Sequence, residues 1–208
     1  MTMLFRLIWL VNIVVLLNTP LQAQLQKEYY DNGQLKSSGQ LAEGQKTGEW
    51  SYYYPDGTLN AIEHYREGQI HGEIKYYDFN GHLEAIENWR LGQQEDSSYY
   101  YYPDGQVEKK GMFRGGLYEG KWFFFYEDGT PKRIGYYQDG LPSGEWIFYQ
   151  ENGELLQEGT FEQGQEQGKW KFYNKKGRLE YIGQYTEGER TGDWYYVDKK
   201  GRKEKVDY

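Results

Sequence analysis

From Gln24 onward, aromatic and polar positions alternate in short runs cut by glycine, and the whole pattern returns every 24 residues. One run, as in Gly168-Lys-Trp-Lys-Phe-Tyr173, leads into a turn at Asn174-Lys-Lys-Gly177. The other, Arg178-Leu-Glu-Tyr-Ile-Gly-Gln-Tyr-Thr186, leads into a second turn at residues 187–192. Short alternating runs bounded by glycine turns read as β-hairpins. Two-residue alternation puts Trp50 and Tyr52 on one strand face and Tyr53 on the other, so both faces carry rings. An unbroken period joins each hairpin to the next. The expected fold is all-β: tandem β-hairpin repeats in one elongated, single-layer antiparallel meander sheet, with little or no helix.

The columns of the repeat are explicit. Trp50, Trp122, Trp146, Trp170 and Trp194 form one, with Ile74 and Ser98 in its two missing places. Two residues on, Tyr52, Tyr76, Tyr100, Phe124, Phe148, Phe172 and Tyr196 are aromatic throughout. Gly57, Gly81, Gly105, Gly129 and Gly153 mark hairpin turns of the Asp-Gly and Asn-Gly kind, with Gly177 their cognate after Lys176, and at each the glycine accepts a positive φ. A second glycine series starts at Gly44, a third at Gly48 (broken by Asp96), and a fourth holds Gly39, Gly111, Gly135, Gly159 and Gly183. Of 27 glycines, Gly115 alone stands outside these series. The last copy, Gly201–Tyr208, is charged, and lysines on a terminal strand discourage edge pairing, so it reads as a cap strand.

Residues 1–23 follow another pattern. Met1–Arg6 carries one positive charge, Leu7–Leu17 is apolar apart from Asn12, and Asn18-Thr19-Pro20 breaks the run before Leu21-Gln22-Ala23. That is the layout of a signal peptide cleaved near Ala23. The apolar run would make about 16 Å of helix, roughly half a bilayer core. The expected domains are thus a signal peptide at 1–23 and a repeat domain at 24–208, about seven repeats plus the cap. The mature chain is expected to be exported: periplasmic, outer-membrane-associated or extracellular.

Composition sharpens this. Beyond residue 23 there are only 11 Leu, 7 Ile and 3 Val, but all 23 tyrosines. So charged and aliphatic-poor a chain would ordinarily be disordered, yet disorder gives no reason for aromatic columns in register. The rings are expected to be the core. A net charge of −8 argues against nucleic acid as a partner, and the absence of cysteine excludes disulfides and thiolate metal sites.

These repeats resemble the MORN repeat in its bacterial variant form. The features are those of residues 56–77: an Asp-Gly turn, an aromatic before Glu-Gly, then Gly-Glu and a tyrosine pair. The resemblance covers residues 28–208 and implies an extended hairpin sheet used for protein–protein contact, proposed for phospholipid contact in some members. It also brings an antitoxin or immunity label attached to some bacterial variants.

Three rules of the repeat fail together at residues 93–98, beside Trp89 and followed by Tyr99-Tyr100-Tyr101-Tyr102. Trp89, Asp96, Tyr99, Tyr100, Tyr101 and Tyr102 are therefore the candidate partner contact. The alternative is that aromatic columns bind a cell-surface glycan or a lipid surface, since rings stack on sugars and attract cations. His64, His71 and His82 are expected at different sheet edges, too dispersed for a metal. Asp56, Asp104 and Asp128 read as turn residues rather than calcium ligands. Residues 39–47 resemble a P-loop only by coincidence, with Gln45 intruding before Lys46. No catalytic constellation stands out; a non-catalytic scaffold without metal or cofactor is expected, with a protein partner. N-terminal sequencing of protein recovered after export should begin at Gln24; an N terminus at Met1 would remove the leader assignment.

Overall fold

The computed structural model describes residues 23–207; the expected leader lies outside them apart from Ala23. Eighteen strands, from β1 (Gln24–Tyr29) to β18 (Lys203–Val206), form one sheet. Each hairpin strand pairs antiparallel with its sequence neighbours, and no helix occurs among the described residues. Two rungs are interrupted, into β5 (Gln69–Ile70) with β6 (Gly72–Tyr77) and β8 (Gln93–Gln94) with β9 (Asp96–Tyr101). The single-layer meander follows from the repeat: every unit is a hairpin whose free edge is the next unit's template.

Both edges of the sheet tie one copy to the next. At the two-residue turns, the N–H of Gly164 donates to the Pro142 carbonyl at 2.9 Å and that of Gly188 to the Glu166 carbonyl at 3.0 Å. The first residue of these turns is left-handed, with φ between 48° and 57° at Glu43, Glu67, Leu91, Asp139, Gln163, Glu187 and Gly115. Gly115, outside every column, is thus a turn residue that meets this conformation without a Cβ. At the opposite edge, tyrosine hydroxyls reach across a repeat: Tyr30 to the Tyr53 carbonyl at 2.7 Å, Tyr102 to that of Phe125 at 2.8 Å and Tyr126 to that of Tyr149 at 2.9 Å. Asp56, Asp104 and Asp128 each accept the N–H two residues on, at 2.8 to 3.0 Å. Those carboxylates close their own turns.

The core is a single contact, repeated. In β13 (Leu141–Tyr149) the chain bulges opposite Gly135 of β12 (Pro131–Gln138), and the Trp146 indole folds flat onto that glycine. A Cβ built at Gly135 would fall inside the ring. Gly39 with Trp50, Gly111 with Trp122, Gly159 with Trp170 and Gly183 with Trp194 repeat the arrangement. The five indoles are at most 3% exposed. The N–H groups of Trp50, Trp122, Trp146 and Trp170 each donate to a backbone carbonyl, that of Trp50 to Gln40 at 3.1 Å and that of Trp122 to Met112 at 3.0 Å. Edge-on rings wall them in, with Phe161 5.6 Å from Trp146 and 5.1 Å from Trp170. Burying an indole this fully contributes on the order of 5 kcal/mol, an upper figure for area removed from water. The fourth glycine series, which the sequence shows only as one more column, is the row of seats for the tryptophans.

This predicts a sharp difference between glycines. Gly135→Ala should destabilise the protein by about 3 kcal/mol through overpacking. Gly153→Ala, whose added methyl meets nothing within 4 Å, should cost only about 1 kcal/mol for its positive φ. Urea unfolding measures both, and equal losses would contradict the ring-on-glycine contact.

Candidate functional site

The tryptophan face changes character in the second and third copies. Where the seat column has Glu63 and Glu87 instead of glycine, the tryptophan column has Ile74 and Ser98. A side chain at the seat leaves no room for an indole, so the two columns change together. Glu63 of β4 (Leu59–Arg66) accepts the Tyr65 hydroxyl, which lies 3.0 Å from that of Tyr52. Lys46 donates to the Tyr52 hydroxyl at 2.6 Å and sits 4.5 to 5.0 Å from the ring centres of Trp50, Tyr52 and Tyr65. One copy on, Glu87 of β7 (Leu83–Arg90) accepts the Tyr100 hydroxyl at 2.8 Å and the Trp89 indole N–H at 2.9 Å. Gln94 donates to Tyr100 at 3.0 Å and to buried Ser98 at 3.3 Å. The volume left by two missing indoles is filled by a hydrogen-bonded chain of carboxylates and phenols. Burial, with these carboxylates adding to it, pushes Tyr52 up to about 12 and raises Tyr76 and Tyr100 as well.

The backbone of the irregular copy does not follow the side chains. Asp96 adopts φ 65°, the value of Gly120 at the equivalent bulge, and its carboxylate accepts the Ser97 N–H at 2.7 Å. The three broken rules of this copy are therefore a change of side chains on a preserved frame. Nor do the candidate contact residues share one surface. Trp89 and Tyr100 join through Glu87 on the tryptophan face, Asp96 occupies the bulge, and Tyr102 bonds a carbonyl at the turn edge. Tyr99 and Tyr101 alternate to the opposite face, Tyr99 exposed and Tyr101 half-buried.

The histidines correct one expectation. His64 and His71 are cross-strand neighbours, with the His71 N–H donating to the His64 carbonyl at 2.8 Å, because residue 71 lies beside the bulge and not in the turn. His82 is separate, 3.0 Å from Asp78 at the turn edge. Among the described residues no three His, Asp or Glu side chains converge as metal ligands would.

On the opposite face, rings and a thioether stay open to solvent. Tyr99 of β9, Met112 of β10 (Val107–Arg114) and Tyr136 of β12 are 38, 45 and 45% exposed. Register packs them closely: Lys110 pairs with Tyr99 on one side and Phe123 on the other, and Lys121 pairs with Tyr136. Lys110 and Lys121 lie 5.6 and 5.2 Å from the Phe123 ring centre, and no carboxylate among the described residues is within ion-pair distance of either. Sequence reasoning missed Met112, Phe123 and Tyr136. The available signal was that their columns are polar in the first copy, where Gln40 and Ser51 stand.

The sequence matches the MORN repeat variant at residues 25–42, 46–67, 70–90, 97–114, 118–139 and 142–163, over half of the chain. The chain belongs to this family. MORN repeats are repeat scaffolds suited to protein or lipid interaction, and the hairpin unit described above is their structural form here. No curated protein matches the chain. Solved structures with similar segments include the GtfA/B complex bound to UDP and GlcNAc, at 14% identity over 52% of this chain and 22% of that one, TM-score 0.24. The Photorhabdus luminescens Tc holotoxin pore aligns at 15% identity over 86% of this chain and 12% of that one, TM-score 0.25. A TcdB2-TccC3-Cdc42 complex gives 14% identity over 83% and 13%, TM-score 0.24. This chain spans less than a quarter of each, and at such scores they carry no argument about it.

The buried phenols set a pH response. Tyr52 holds its proton to about pH 12 when folded, whereas in the unfolded chain it loses it near pH 10. The unfolded state therefore binds fewer protons above pH 10, and stability must fall as pH rises from 10 towards 12. Thermal melts should show that loss, reduced in Tyr52→Phe; a melting temperature flat across this window would contradict the arrangement.

Proposed function

We propose that this MORN-variant chain is an exported, non-catalytic scaffold that binds a protein partner through the exposed patch on β9 to β12. The observation that carries this reading is the division of labour between the two faces. The tryptophan face is consumed by its own packing, so its indoles offer no open ring to a sugar. Tyr99, Met112, Phe123 and Tyr136 with Lys110 and Lys121 have the composition of an interface centre, where aromatic residues and methionine are enriched. Contiguous exposed apolar surface on a charged chain marks an interaction site. The non-catalytic part of the reading rests on the sequence, in which no nucleophile, base and orienting group stand out together. Export rests on the leader pattern at residues 1–23.

The test is capture of envelope and secreted proteins by the immobilised mature chain, with quantified partner recovery. Replacing Tyr99, Met112 and Tyr136 together by serine should lower recovery at least 100-fold while circular dichroism stays unchanged, since each anchor at such a centre contributes about 2 kcal/mol. Glu63→Gln, on the other face, should leave recovery intact. Recovery that survives the triple substitution would sink this assignment of the contact face.

A further inference from the structure

On the tryptophan face, one column holds Ser37, Ala61 and Ala85 in the first copies and Gln157 and Tyr181 in later ones, but Lys109 and Arg133 between them. Register makes the two cations flank a single ring. Lys109 lies opposite Phe124 of β11 (Leu117–Phe125), and Phe124 lies opposite Arg133 of β12. The Arg133 guanidinium sits 4.1 Å from the Phe124 ring centre; the Lys109 ammonium sits 4.1 Å from that of Tyr100 and donates to the Tyr118 hydroxyl at 3.0 Å. These groups line a groove of about 210 Å³, whose walls include Tyr102 and Tyr137, with Lys132 and Glu108 also lining it.

Two features of this groove bear on what it could hold. No carboxylate among the described residues lies within ion-pair distance of Lys109, Lys132 or Arg133, in a chain whose net charge is −8. Arg133 Nε is buried with no hydrogen-bond acceptor. Half-buried cations sharing one groove repel one another, and an oxyanion among them relieves that repulsion and takes up guanidinium donors that no protein acceptor meets. We propose that this groove binds a phosphate monoester carried on a flat apolar group. The dianion matches two cations where a carboxylate matches one. Guanidinium presents a planar fork of donors to phosphate oxygens, and the half-buried Tyr118 and Tyr137 supply ring edges against which a flat group packs. The site lies on the opposite side of the sheet from the proposed protein contact and does not depend on it.

Titration calorimetry of the mature chain with phenyl phosphate, benzoate and phenol tests this. Phenyl phosphate should bind one to one, at least tenfold tighter than benzoate, with no heat from phenol. Lys109→Met and Arg133→Met should each weaken it at least tenfold with circular dichroism and melting temperature unchanged; Lys109→Met alone decides if the Arg133 variant fails to fold. Lys121→Met, on the other face, should leave it unchanged, while Arg133→Met should leave partner recovery unchanged, so this site and the protein contact fail separately. Equal affinity for benzoate, or phenyl phosphate binding indifferent to Lys109 and Arg133, would overturn the proposal. Flotation with phosphatidylcholine vesicles containing phosphatidic acid, without phenyl phosphate binding in solution, would assign the cations to a membrane surface and overturn it equally.

Discussion

A sheet one layer thick has no second layer to bury its side chains against, so its core must lie flat on its own backbone. The ring-on-glycine contact is the solution this chain repeats. An indole such as Trp146 can reach the van der Waals surface of the neighbouring strand only where that strand carries no Cβ, and the bulge beside it turns the ring over the Gly135 seat. Everything else on that face is arranged around this. Phenylalanine and tyrosine rings stand edge-on against the indoles, and long cationic side chains such as Lys46 and Arg190 close over them at 4.5 Å from the Trp50 and Trp194 ring centres. The sparse aliphatic content is then a consequence of geometry: Leu or Val at the tryptophan position would leave much of the seat uncovered.

The second and third copies show what the constraint permits when it is relaxed. Loss of the glycine and loss of the indole go together, and a carboxylate at the seat reaches hydroxyls that the aromatic columns already place nearby. The columns vary in concert across six copies: the rings after the tryptophan position are Tyr52, Tyr76 and Tyr100 beside Glu63 and Glu87, and Phe124, Phe148 and Phe172 where no such carboxylate stands, while Tyr196 at the capped end is again a phenol. A phenol is favoured beside an acceptor and a bare ring beside an indole. The sheet tolerates this substitution because its edges hold independently, through turn N–H groups and tyrosine hydroxyls that bond the adjoining repeat.

How much of this the sequence discloses depends on whether the determinant is local. Turns and strand alternation are local, and a 24-residue period states them seven times over, so the meander and its register follow from Gly57 and its cognates together with the aromatic columns. The meaning of Gly39 and Gly135 is not local. It requires knowing that the residue eleven places on crosses back over them, and only the joint absence at Glu63 with Ile74 and Glu87 with Ser98 carries that information in the sequence. The four consecutive tyrosines look like one patch in the sequence but lie on two faces and an edge, because alternation separates neighbours that the eye groups. His71 is hard to place for a related reason: Gly68 and Gly72 look like the two ends of one turn, whereas Gly68 closes a two-residue turn and Gly72 sits at the bulge beyond it.

The same geometry sorts positions by what they can do. Tryptophan and seat positions are coupled and admit two solutions, ring with glycine or carboxylate with phenol, so they report on folding. Columns outside that pair are uncoupled, and each copy can differ there at little cost to the sheet. It is in those free columns that the fourth and fifth copies depart from the rest: Met112 and Tyr136 where other copies have Gln40, His64, Asn88, Thr160 and Gln184, and Lys109 and Arg133 where the first copy has Ser37. The departures gather at one stretch of the ribbon but on both of its faces, apolar with lysines on one side and cationic among rings on the other. Those positions are not set by the ring-on-glycine contact, so folding alone gives no reason for them to change together. Recognition supplies one, because a ligand or partner sees a patch of side chains, and adjacent repeats in register are the only way this chain can build one.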